Sequence, residues 1–160
     1  MKRWLLVFLL LSPLMQSVAQ EFKIEIVDNL SRMNSNQTYR FTKDSLVITA
    51  VSDYGRSHVN YLERLLKEEE KKTLQVLLKK FPLDSVKAEY FMGYDQFKQI
   101  DAENFPRSIE LNMEYGEKKV QSRATNAWVG LYARLFDALN PLLPAEVRID
   151  FDKDKFNVFY

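Results

Sequence analysis

The chain has no cysteine and a single histidine, His58. The first absence excludes a disulfide scaffold, a thiolate metal site, a cysteine nucleophile and a lipidated N-terminal cysteine. The second excludes a metal site built on several histidines. Charge of one sign is missing too. The 23 Lys and Arg stand against 22 Asp and Glu, a net charge of +1, so no strong field draws the chain to nucleic acid or an acidic membrane. No Gly-x-Ser-x-Gly nucleophile elbow occurs. What remains is an ordinary globular composition, 46% hydrophobic and 28% charged, over 160 residues. That length favours one domain.

The N-terminus has the pattern of a secretory signal peptide. Lys2 and Arg3 form a charged start, Trp4 to Met15 is apolar apart from Ser12 and Pro13, and Ser17-Val18-Ala19 supplies small residues where a signal peptidase reads. The apolar run is about a dozen residues, short of the about 20 that a spanning helix needs. We therefore expect residues 1–19 to be a signal peptide cleaved after Ala19. Residues 20–160 would then form a single exported domain, periplasmic or secreted, with no integral membrane span. A cysteine-free chain suits an oxidising compartment.

The mature segment alternates strand and helix signals. Phe22 to Ile26 has the period-2 pattern of a half-buried strand, Asp28 to Asn36 reads as a polar loop, and Thr38 to Phe41 as a short strand. Ser45 to Ser52 is apolar on both faces, the mark of a central strand. After the Asp53-Tyr54-Gly55-Arg56 turn comes a strand from His58 to Leu66, with Val59, Tyr61 and Leu65 on a common face. A two-residue loop would set Ile48 opposite Tyr61 and Ala50 opposite Val59. Glu68-Glu69-Glu70 opens a helix that Lys79-Lys80 closes, charges that complement the helix dipole. Its stripe is Leu74, Leu77, Leu78 and Phe81, and Pro82 ends it. Residues 82–106 have no clean period, although 86–91 reads as strand or short helix.

Arg107 to Tyr115 is the clearest strand. Gly116-Glu117 turns it into Lys118 to Ala124, a polar edge strand, with Met113 opposite Val120 and Ile109 opposite Ala124. Asn126 would cap a second helix carrying Trp128, Leu131, Tyr132, Leu135, Phe136 and Leu139. Val147, Ile149 and Phe151 suggest a last strand. The fold expected is α+β: one antiparallel sheet built from two hairpins, with two amphipathic helices packed on one face, in the order hairpin, helix, hairpin, helix.

No catalytic constellation emerges. His58 has Ser52, Asp53 and Ser57 near it in sequence, but adjacency is not triad geometry. Asp150, Asp152 and Asp154 resemble half a calcium loop, yet position 6 is Lys155 and the chain stops before position 12. No metal and no cofactor are expected. Glu68, Glu69 and Glu70 are explained by the helix start, and the lysines of that helix by its wet face. Asn29-Leu30-Ser31 and Asn36-Gln37-Thr38 fit the N-glycosylation sequon, and Asp44-Ser45-Leu46 and Asp84-Ser85-Val86 an Asp-Ser-aliphatic O-glycosylation pattern. The aromatic stretch holding Tyr90, Phe91, Tyr94, Phe97 and Phe105 is the candidate contact surface, for a protein or a glycan.

Several segments carry a resemblance: the signal ending Val18-Ala19-Gln20, the turn Ser52-Asp53-Tyr54-Gly55-Arg56, the break Phe81-Pro82-Leu83-Asp84-Ser85, Phe105-Pro106-Arg107, and Thr125-Asn126-Ala127-Trp128. Together the chain resembles small exported proteins of Bacteroidota-type bacteria, a family with no assigned function. The resemblance implies a compartment and lends no catalytic residue. The reading that follows is a non-enzymatic exported binding or interaction module of the cell envelope. Its alternative is a small carboxylate-dependent envelope hydrolase, for which Asp95, Asp101 and Glu103 are the candidate acids.

Overall fold

The computed structural model describes residues 20–30, 35–52, 57–91, 107–153 and 157–159. Its main element is a sheet of seven strands: β1 (Phe22–Leu30), β2 (Ser35–Thr42), β3 (Ser45–Ser52), β4 (Ser57–Leu65), β5 (Glu89–Phe91), β6 (Ser108–Tyr115) and β7 (Lys118–Thr125). They lie in the order β4-β3-β2-β1-β6-β7-β5. Helix α1 (Glu68–Lys80) follows β4. A three-residue strand, β8 (Ala127–Val129), precedes α2 (Gly130–Leu139), and β9 (Asn157–Phe159) pairs with β8 in parallel.

The class is α+β, but the sheet is mixed, because β5 runs parallel to β7. Its first half is a meander of the four strands expected, but β1 and β2 are longer than the segments 22–26 and 38–41, and they take in most of the stretch 28–36 that was expected as a loop. The polar stretch 28–36 misled: Asp28 pairs with Gln37, Asn29 with Asn36 and Leu30 with Ser35, inside the ladder. Asp28 can lie on the core side, at 3% exposure, because Arg107 neutralises it. The Arg107 Nε donates to Oδ1 at 2.8 Å and Nη2 donates to Oδ2. An acid with its own buried base does not end a strand.

One face of the sheet is continuous and apolar. Reading across the ladders, Ile48 faces Tyr39, Tyr39 faces Ile26, and Ile26 faces Leu111. The next row runs through Leu46, Phe41, Ile24 and Met113. All these side chains are buried and share one cluster with Leu74 and Leu78 of α1 and with Tyr132, Leu135, Phe136 and Leu139 of α2. Tyr132 donates to Ser122 Oγ of β7 at 2.7 Å and packs edge-on against Tyr90 of β5. The opposite face is polar, with Glu25 held by Lys23 and Arg40, Glu114 by Lys119, and Glu110 by Arg123.

Four further expectations change. β7 is not an edge, since β5 covers its outer side. β3 lies one strand in from an edge; β1 is the central strand. Asn126 does not cap α2. It takes a left-handed backbone, φ +53°, and turns the chain into β8, so the helix starts only at Gly130 and Trp128 stands before it. Val147, Ile149 and Phe151 are buried as their alternation suggested, but they form no ladder. Instead the Asn140 side chain plays the neighbouring strand: Ile149 N–H donates to Oδ1 at 2.8 Å, and Nδ2 donates to the Ile149 carbonyl at 3.0 Å.

Other local readings agree with the structure. Helix α1 spans Glu68–Lys80 and ends at Phe81. Met113 pairs with Val120 and Ile109 with Ala124. Gly116 has φ +60°, and a Cβ there would meet Gln20 Nε2 at 2.1 Å, so the β6–β7 turn needs glycine. The stretch 86–91 holds the strand β5, Glu89–Phe91, and a 3₁₀ turn, Leu83–Ser85, comes just before it. The Tyr54-Gly55 turn lies outside the described residues.

Candidate functional site

The two edges of the sheet differ. β5 is three residues long, whereas β4 has nine. β4 also carries three of the large hydrophobic side chains that solvent reaches: Val59 at 46%, Tyr61 at 57% and Leu65 at 77%. A strand edge offers a row of main-chain donors and acceptors, and proteins usually blunt it with lysine, proline or a bulge. β4 has neither lysine nor proline. It does have a bulge.

The bulge is visible in the register. Val59 pairs with Ala50 and Asn60 with Thr49, but Ile48 then pairs with Leu62, so Tyr61 is the extra residue. Ala50 opposite Val59 follows the sequence reading; Ile48 opposite Tyr61 does not. The inserted residue reverses the alternation. Positions 59, 62 and 64 therefore lie on the core-side face with Ala50, Ile48 and Leu46, and positions 58, 60, 63 and 65 on the polar face. Val59, Tyr61 and Leu65 do not form one buried stripe; they are spread along the edge. The period-2 rule failed here because one bulge shifts every later side chain by a face.

The far end of β4 is firmly held. Arg64 forks onto Glu70 of α1, with Nη1 and Nη2 at 2.7 and 2.8 Å from its two carboxylate oxygens, and also donates to the Leu142 carbonyl at 3.1 Å. The guanidinium keeps the Glu70 carboxyl below its usual range. The Glu70 carboxylate also accepts the Lys67 N–H at 2.7 Å, closing the first turn of α1. Leu66 N–H reaches the Asp44 carbonyl at 2.8 Å, and Lys71 bridges Asp44 and Glu68. The edge is thus presented on a braced corner, with the charge of Arg64 already answered.

Of the aromatic residues singled out by sequence, Tyr90 and Phe91 are described, and they differ in exposure. Tyr90 is 4% exposed, with its ring 5.8 Å from that of Tyr132, and its hydroxyl accepts the Lys87 N–H at 2.9 Å. Its neighbour Phe91 is 52% exposed at the β5 edge. Tyr94, Phe97 and Phe105 lie outside the described residues, as do Asp95, Asp101 and Glu103.

His58 stands on β4 opposite Val51. Asp150 and Asp152 are exposed, Asp154 is not among the described residues, and no group of three acids or histidines able to hold a metal occurs among those that are. The sequon asparagines are in the ladder: Asn29 Nδ2 donates to Ser108 Oγ at 3.2 Å, and Asn36 pairs with Asn29 and Val51. Ser45 shares its hydroxyl with Thr42 at 2.8 Å, whereas Ser85 is exposed on the 3₁₀ turn.

Two buried tyrosines are spent on the core. Burial, with Asp28 nearby, raises the ionisation of Tyr39 well above the usual phenol range, and burial does the same for Tyr132. No helix among the described residues is long and apolar enough to cross a membrane. No family model, no curated protein and no solved structure matches the chain.

Proposed function

We propose that the chain is a non-enzymatic exported interaction module of the cell envelope, and that its contact surface is the β4 edge. The carrying observation is the nine-residue edge strand with Val59, Tyr61 and Leu65 in solvent, free of lysine and proline. Three exposed apolar side chains lie along the strand that ends the sheet among the described residues, and a partner on that edge would take them out of water. The main-chain row beside them fits an extended polypeptide, which favours protein over glycan as the partner. Phe91 offers a smaller apolar contact at the other edge. Tyr90 does not join it, because its ring is part of the core. The export half of the proposal rests on the signal pattern of residues 1–19.

The test is a photo-crosslinking amino acid placed at Tyr61, compared with one at Gln121 on the exposed polar face of β7, in the cell that exports the chain. The reading expects an adduct from position 61 and none from position 121. No adduct from position 61 contradicts it.

A further inference from the structure

We propose that the occupant of the β4 edge is a second copy of this chain, paired antiparallel about a two-fold axis. The proposal rests on the interaction-module reading above and names its partner. An antiparallel edge is complementary to itself in main-chain donors and acceptors, so a second copy needs no further feature to satisfy that row. The side chains then choose the register.

The bulge at Tyr61 decides which register keeps the faces matched on both sides of it. It puts positions 59 and 62, three apart, on the same core-side face. When position 62 is set opposite position 59 of the second copy, position 63 falls opposite position 58 and position 64 opposite position 57. The same pairs recur on the other side of the axis. Core-side positions meet core-side positions in both halves, and polar-face positions meet polar-face positions. Val59, 46% exposed, gains an apolar neighbour in Leu62, which is partly buried against the core. Position 63 is an exposed glutamate, and the position set against it is a histidine. No acid is set against an acid and no base against a base. Arg64 brings no unanswered charge, because Glu70 holds it. Asn60 and Tyr61 of the two copies flank the axis, where the exposed Tyr61 rings supply the aromatic area typical of an interface centre. The result is one sheet running through both copies, with its weakest edge removed.

Sedimentation equilibrium of the chain, as the expressing cell processes it, tests the proposal. The expected result is a mass that rises from one chain to two across the micromolar range. Tyr61→Lys and Val59→Lys, both at solvent-exposed positions, should each weaken the dimer about tenfold or more while leaving the circular dichroism and melting temperature of the monomer unchanged. Glu63→Lys and His58→Glu should each weaken it, and the two together should restore it. A single-chain mass at every concentration overturns the proposal. So does a dimer indifferent to Tyr61→Lys and Val59→Lys. A swapped pair that fails to restore association overturns the register. A monomer in solution that still crosslinks from position 61 to a different protein in the cell refutes the second copy and supports the interaction module; no crosslink from position 61 removes both.

Discussion

Replacing Asp28 by asparagine should destabilise this fold more than any conservative change on its polar face. The carboxylate is 3% exposed, and its partner Arg107 has a side chain 19% exposed. Both oxygens are used, one by Nε at 2.8 Å and the other by Nη2. The amide would keep the shape and lose the charge, so the largely buried Arg107 guanidinium would lose the carboxylate that its Nε and Nη2 now reach. Breaking one side of a buried pair costs about 3–5 kcal/mol, because the remaining charge stays desolvated. For a domain of this size that corresponds to a melting temperature lower by on the order of 10 °C. Urea denaturation followed by tryptophan fluorescence would give the difference directly. A companion variant, Arg107→Met, and the double variant complete a cycle, and the double should cost clearly less than the sum of the singles. If Asp28→Asn costs less than about 1 kcal/mol, the pair behaves as a solvated surface bridge. The explanation given for how a polar stretch continues β1 would then fail.

Three other outcomes follow from the packing and the charges. Leu135→Ala removes a fully buried side chain of α2 and should cost about 2–5 kcal/mol in the same denaturation assay. Asn140→Ala removes both hydrogen bonds to Ile149. It leaves a main-chain donor and acceptor without that partner, so it should cost about 1–3 kcal/mol and speed amide exchange at Ile149. Glu70 has its ionisation held down in the folded state by the Arg64 guanidinium. Its contribution is therefore present above the unfolded value, near 4.5, and fades as pH falls through the lower folded value. Glu70→Gln should lower stability at pH 7 and make the acid-side decline shallower.

The sequence is most informative where one residue type serves one purpose. Helix α1 is flagged by three acids at its start, two lysines at its end and a proline beyond, and it lies where those signals put it. The β6–β7 hairpin is equally legible, because Gly116 must take a positive φ and the alternation on both sides is clean. Legibility fails where a partner elsewhere in the chain, near or distant, changes a residue's meaning. Asp28 looks like a loop residue until Arg107, 79 positions away, neutralises it. Ile149 looks like a strand residue until Asn140 takes the place of the neighbouring strand. Asn126 looks like a cap but serves as a left-handed corner. The edge carried a different ambiguity. Val59, Tyr61 and Leu65 have the composition of a buried stripe, and nothing in a single strand's pattern announces a bulge or marks the strand that ends the sheet among the described residues. Of the aromatic stretch, Tyr90 was absorbed by a contact with Tyr132, which also lies far along the chain.

The central claim is that the β4 edge is covered when the protein works. Amide hydrogen exchange across residues 57–65 tests it most directly, with the exported chain measured at high concentration beside its Tyr61→Lys variant. The account predicts slow exchange along β4 in the parent chain, faster exchange there in the variant, and no change in β1 or β6. Equally fast exchange along β4 in both would contradict it.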